Sequence, residues 1–481
     1  MTSSATHPAR LPGPSGPPLV GRQIAFLRDP LGFLTRAHRD YGDLVALPLN
    51  GGRVVAAFGA AEVAAVYAGL GEHVEISGGG GINLRAHDEI QGRGPLNSTG
   101  AEHAAYRKIC HRALGQHSLA AYSTVAVEET ERLLRRWRPG QVVDLVPEIT
   151  ALTRRIFKVY MFGADVSETA PDADAAVDLY IDLMESTVRR LATTFVPIEI
   201  PGLAQRRRLR NATSAIDELV TGLVNPARGG PPRHSLAQAL LAELERAELP
   251  PDPRLVREFM LQLHFAGLTS LASALIWALL LLALHPAATA EALAELSGAT
   301  GGRIPRPEDV KALPYLEAVL NETMRLYPAA AWEFKQTIRA TDVGGHLLPA
   351  GTTLMLAPWV TQRAERSFAD PLTFAPGRFV GRDDYPPGAF EPWGTGERSC
   401  IGKMLARNAF RSVVGGIIQR YRLDLAPGQR IEPHPGLLGT RMLPRPGVRV
   451  VLSDQDGDTG REVTVVHGSV IGARPGPAGR T

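Results

Sequence analysis

The chain predicts a mainly α-helical fold with small β-sheets, built as one large domain. Three observations carry this expectation. Apolar residues recur at helical spacing through most of the sequence; the strand signals are short and come in pairs; and no linker-like stretch divides the middle of the 481 residues. Hydrophobic residues make up 44% and charged residues 21%, which supplies ample material for a buried core. A net charge of +3 is too small to imply nucleic acid, and basic residues are not interleaved with aromatic ones.

Taken in order, Pro/Gly-rich residues 1–11 read as disordered, residues 12–453 as the folded domain, and residues 454–481 as a disordered tail. Strands Leu44 to Leu49 and Arg53 to Phe58 flank Asn50-Gly51-Gly52, a hairpin signal. Helical patterns cover Ala61 to Gly69, Ala104 to Leu114, Thr124 to Trp137, Ile149 to Phe162, Ala173 to Ala192 and Arg207 to Leu223. Gly344-Gly345 and Pro349-Ala350-Gly351 bracket another short strand pair.

One segment is apolar enough to cross a bilayer, since no Asp, Glu, Lys or Arg occurs between Phe259 and Leu284. It reads as a buried central helix instead. Asp252 offers an N-cap, Pro253 the first helical position, and Pro286 follows the end. The segment from Met1 to Arg10 has no apolar run, and two cysteines cannot form a disulfide framework, so the expected location is the cytoplasm. Gly78-Gly79-Gly80-Gly81 is not followed by Gly-Lys-Ser/Thr and reads as a flexible loop. The cluster Arg206, Arg207, Arg208 and Arg210 reads as a solvated helix face.

The chemistry concentrates at Trp393-Gly394-Thr395-Gly396-Glu397-Arg398-Ser399-Cys400-Ile401-Gly402. Glycines at 394, 396 and 402 let the backbone turn around the sulfur. Ile401 to Arg411 reads as a helix, which puts Cys400 at a helix N-terminus, where amide donors and the macrodipole favour thiolate. Three readings stand: a buried structural thiol; a nucleophile, although no histidine lies between His346 and His434; and a single axial bond to heme iron, with Arg398 placed to meet a propionate.

This string resembles the heme loop of the cytochrome P450 family, Phe-x-x-Gly-x-Arg-x-Cys-x-Gly. Gly396, Arg398, Cys400 and Gly402 match, and Trp393 replaces the phenylalanine. Other landmarks of that family stand upstream in order. Glu322 and Arg325 are similar to its Glu-x-x-Arg helix pair, and Arg378 in Pro376-Gly377-Arg378-Phe379 to the arginine that closes it. Gly100 to Arg107 is similar to the helix that holds a heme propionate; His103 and Arg107, one turn apart, could donate to the same carboxylate. Lys335 falls where many relatives carry a further propionate-binding arginine, keeping the charge and losing the fork. The resemblance runs from about Pro12 to Leu452.

It implies a soluble heme-thiolate monooxygenase holding heme b through Cys400. Such an enzyme inserts one oxygen atom from O2 into a small, mainly apolar molecule, by hydroxylation or epoxidation in secondary-metabolite tailoring. Ala266-Gly267-Leu268-Thr269-Ser270 stands where relatives show Ala-Gly-x-Asp/Glu-Thr. In them the glycine opens space for dioxygen and the acid-alcohol pair relays protons. Here the acid is missing, so delivery should lean on Thr269, Ser270, water or the substrate. Lys108, Arg112, Lys403, Arg407 and Arg411 are expected to form a basic patch beneath the thiolate that steers an acidic ferredoxin or flavodoxin, itself served by a reductase. Oxidative coupling, desaturation or peroxide-driven oxidation at the same iron is the alternative, and a heme sensor without substrate is a third.

Overall fold

The computed structural model describes residues 11–15, 22–49, 54–76, 92, 94–163, 175, 203–224, 235–248, 252–382, 384–436, 439, 441–457 and 467–470. Helix Pro253–Leu284 runs through the middle, with Leu275 to Leu281 all buried. Asp252 Oδ1 accepts from the Arg254 amide at 2.9 Å and Pro253 occupies the first turn, so the expected cap is present. Nearly three quarters of its most apolar window lies inside the protein (72%), as a core helix requires. Around it pack Leu145–Phe162, Leu203–Val224, Leu236–Arg246, Pro314–Leu326 and Lys403–Arg420. Gln116–Arg136 lies against the last of these.

The helical expectations match Ala60–Ala68, Gly100–Ala113, Gln116–Arg136, Leu145–Phe162 and Leu203–Val224, with the N-terminal ends drawn earlier than the apolar pattern alone suggested. Apart from residue 175, which is helical, the expected helix from Ala173 to Ala192 lies outside the described residues, as does the run Gly78 to Gly81. In the main sheet, Leu44–Leu47 pairs antiparallel with Val54–Ala57, which runs parallel to Thr353–Leu356. Glu333–Thr337 and then Val74–Ile76 complete the order, both antiparallel to their neighbours. A second sheet joins Val142–Asp144, Arg449–Asp454 and Tyr421–Leu425.

One boundary differs from expectation. Within residues 454–481, His467–Gly468 pairs in parallel with Arg430–Ile431 and Val470 is buried, so part of the tail is structured. Its sequence signal is weak because the partner strand lies far upstream and is only two residues long.

Candidate active site

Cys400 precedes helix Lys403–Arg420, whose N-cap is Gly402. Positive φ angles of 62° at Gly394 and 60° at Gly396 turn the chain, and the Cys400 amide donates to Trp393 O at 2.6 Å, closing the loop. Cys400 is accessible to solvent although protein crowds its sulfur on nearly every side, which places the thiol on the floor of a recess. Burial pushes the thiol up, against the Gly402 amide and the charges of Arg107 and Lys403, which pull it down. The backbone amide at the helix end favours the thiolate, as expected, and burial opposes it.

Three of the expected site residues converge on this recess. Arg107 donates from both terminal nitrogens to Ser399, at 3.0 Å to the carbonyl and 3.0 Å to the hydroxyl. Arg398 donates to Ser98 O at 2.8 Å and more weakly to Pro95 O at 3.5 Å. His103 is buried, and burial together with the charges of Arg398 and Arg107 pushes its imidazole down to about 4, so it is neutral at pH 7. Neither guanidinium donates to a carboxylate among the described residues. Two guanidinium groups and an imidazole held at one recess fit a flat iron-binding group carrying carboxylates, such as heme.

Lys335 departs from that set. Its ammonium sits 2.9 Å from Glu333 Oε2, and Glu333 also accepts from the Tyr67 hydroxyl at 2.6 Å. Burial raises the Glu333 carboxyl, but Lys335 and Tyr67 outweigh it and hold the group low. Lys335 thus has a counter-ion on its own strand. The acid two residues earlier on the same strand face could have flagged this.

Arg325 binds Glu322 in two bonds, Nε to Oε2 at 2.7 Å and Nη2 to Oε1 at 2.8 Å, and Arg378 Nε adds a third to Oε1 at 3.1 Å. Arg325 further donates to the carbonyls of Gln362, Pro371 and Thr373, which ties the segment leading to the cysteine loop onto helix Pro314–Leu326.

On the central helix, Ala266 is exposed and Thr269 and Ser270 half-exposed amid buried neighbours, so this turn borders an open space. Ser270 Oγ donates to Ala266 O at 2.8 Å, whereas the Thr269 hydroxyl donates to no described residue. A Cβ on Gly267 would lie 2.3 Å from Phe157 Cζ. The bare face of Gly267 thus admits the Phe157 ring, and the accessible position next to it is Ala266. This corrects the expected role of the glycine as the opening for dioxygen.

The basic patch is smaller than expected. Arg411 is buried and Arg407 mostly so, and both pair with Glu317, at 2.5 and 2.7 Å. Lys108, His111, Arg112 and Lys403 remain exposed. A depression of about 350 Å³ runs along helix Gly100–Ala113, lined by His103, Arg107, Lys108, His111, Arg112 and Glu397 among others.

Comparison with known proteins agrees with this geometry. The family model described as Cytochrome P450 matches residues 11–450. Cyclooctatin synthase from Streptomyces melanosporofaciens is 29% identical over 455 residues, covering 90% of this chain and 95% of that protein. Pentalenene oxygenase from Streptomyces avermitilis is 26% identical, with 90% and 97% covered. A solved structure of a retinoic acid-bound cyanobacterial CYP120A1 superposes with a TM-score of 0.80 over 93% of this chain and 100% of that one, at 24% identity, which shows the fold. With the family model spanning nearly the whole chain, and the ordered motifs folded around one recessed cysteine, this chain belongs to the cytochrome P450 family and is an oxygen-incorporating, heme-iron oxidoreductase.

Proposed function

We propose that this chain is a cytoplasmic monooxygenase in which Cys400 would hold the iron of heme b. One observation carries the reading: a recessed thiol faced by Arg107, Arg398 and neutral His103, with neither guanidinium hydrogen-bonded to a carboxylate among the described residues. In the proposal these three side chains hold the propionates, and Cys400 supplies the thiolate once its proton is displaced. When bound, the heme supplies dioxygen activation and the insertion of one oxygen atom. Thr269, whose hydroxyl has no intrahelical bond, passes protons through water, with Ser270 as its neighbour along the path.

The substrate in this reading is a small, mainly hydrocarbon molecule of the terpene type, converted by hydroxylation or epoxidation in secondary metabolism. The relatives' names support it, since they include a cyclooctat-9-en-7-ol 5-monooxygenase and a pentalenene oxygenase. Electrons arrive from an acidic ferredoxin or flavodoxin, with its reductase, at the depression lined by Lys108, His111 and Arg112.

The test is the ferrous-CO spectrum of the purified protein. Wild type should show the red-shifted band of thiolate ligation, and Cys400→Ala should lose it. A Cys400→Ala protein with the wild-type spectrum overturns the assignment. The missing helix carboxylate favours a second outcome, coupling or desaturation without oxygen insertion. Turnover under labelled dioxygen separates the two by the presence or absence of label in the product.

A further inference from the structure

Gln262 lies on the central helix one turn before Ala266, on the face that carries Ala266 and Ser270 at successive four-residue steps. Its side chain is completely buried, unusual for a glutamine unless every polar atom is used. All of them are. Oε1 accepts from the Leu96 amide at 3.0 Å; Nε2 donates to Asn97 Oδ1 at 3.1 Å and to Gly92 O at 3.3 Å. Asn97 completes the clamp by accepting from the Gly94 amide at 3.0 Å and donating to Gly92 O at 2.6 Å.

The clamped segment is also held by the cysteine loop, through Arg398 to Ser98 O and Pro95 O. Gly94 to Ser98 therefore forms a strap between the central helix and the residue two before Cys400. The contact is tight: a Cβ on Gly94 would lie 2.4 Å from Gln262 Oε1. The strap nevertheless carries Leu96 with its side chain 38% exposed, so it borders open space rather than core.

We propose that Gln262 is a positioning residue that fixes this strap as one wall of the substrate space, and thereby sets which ligand sizes are admitted and how rigidly Arg398 is held. The first half, the fixing of the strap, stands on geometry alone; the second rests on the function proposed above. An apolar residue of similar length would fill the volume but leave the Leu96 amide without its partner and remove one of the bonds to the Asn97 carbonyl oxygen, so the strap would open locally.

Two measurements on the full-length protein test this. Gln262→Met and, independently from the strap side, Gly94→Ala should speed amide hydrogen exchange at Leu96, Asn97 and Ser98 by about tenfold or more, the scale of one lost buried hydrogen bond, with Leu275 to Leu281 unchanged. Titration of the heme protein with imidazole and with a bulky triaryl-imidazole should then show the affinity ratio shifting toward the bulky ligand in both variants. Unchanged exchange in the strap overturns the clamp. Faster exchange with an unchanged affinity ratio overturns the role in substrate size. Colourless protein with the exchange effect intact would instead count against the heme reading, and leaves the clamp standing.

Discussion

Glu322 and Arg325, one helical turn apart, meet through two hydrogen bonds of 2.7 and 2.8 Å, and neither side chain exposes any surface. Glu322 Oε1 also accepts from the Ala375 amide and from Arg378, so one carboxylate ties its own helix to the segment Ala375 to Arg378. Arg325→Ala would leave that carboxylate buried without its principal partner. The expected cost is about 3 to 5 kcal/mol, seen as a large drop in melting temperature. Arg378→Ala should cost less, because Arg378 is partly exposed and gives Glu322 a single bond. Equal losses would mean that the arginine of the later segment, not the helix pair, holds the meander.

Gly267 and Phe157 set a second prediction. With 2.3 Å between a built Cβ and Phe157 Cζ, Gly267→Ala forces the ring or the helix to move, an overpacking cost of about 1 to 3 kcal/mol. Adding Phe157→Leu should return most of that stability. If the double variant melts no higher than Gly267→Ala alone, the glycine answers to something other than the ring.

His264 makes stability pH-dependent. It is fully buried, with Nδ1 3.2 Å from Met161 Sδ and Nε2 without a partner. Burial, then the charges of Arg154 and Lys158, pushes it from 6.5 down to about 3. The unfolded chain therefore binds a proton that the fold refuses. This stability is fully present above about pH 6.5 and is lost as pH falls toward 3, by up to ~1.4 kcal/mol per pH unit. His264→Leu should flatten the acid limb of a stability-versus-pH curve by up to one proton. A slope identical to wild type between pH 6 and 4, about the window set by these two values, would show the imidazole to be hydrated in solution.

Thr269 and Ser270 should separate in a coupling assay. Ser270 Oγ is bonded to Ala266 O within its own helix, so Ser270→Ala should leave product formed per electron consumed close to wild type. Thr269→Ala removes the hydroxyl that has no such bond and should lower that ratio by about several-fold, with the remainder appearing as peroxide. The reverse ranking would assign the relay to Ser270.

The local sequence announced most elements of the site. Glycines with positive φ bend the loop at 394 and 396, Asp252 and Pro253 start the central helix, and Glu322 with Arg325 at i,i+3 spacing share a helix face. Each of these is decided by residues a few positions apart, so a linear reading can reach them. Arg407 and Arg411 were misjudged as exposed members of the basic patch. The carboxylate that neutralises a cation decides whether it is free, and for the two arginines Glu317 lies about ninety residues upstream.

The sequence by itself determined a helical domain with a glycine-bent cysteine loop, because spacing and backbone preference act locally, and the ordered motifs carried the resemblance that implies iron chemistry. Only the tertiary structure decided that Gly267 yields to Phe157, that Gln262 grips Leu96 and that burial opposes the helix end at Cys400. Those outcomes depend on which distant atoms share one volume, and no spacing along the chain encodes that.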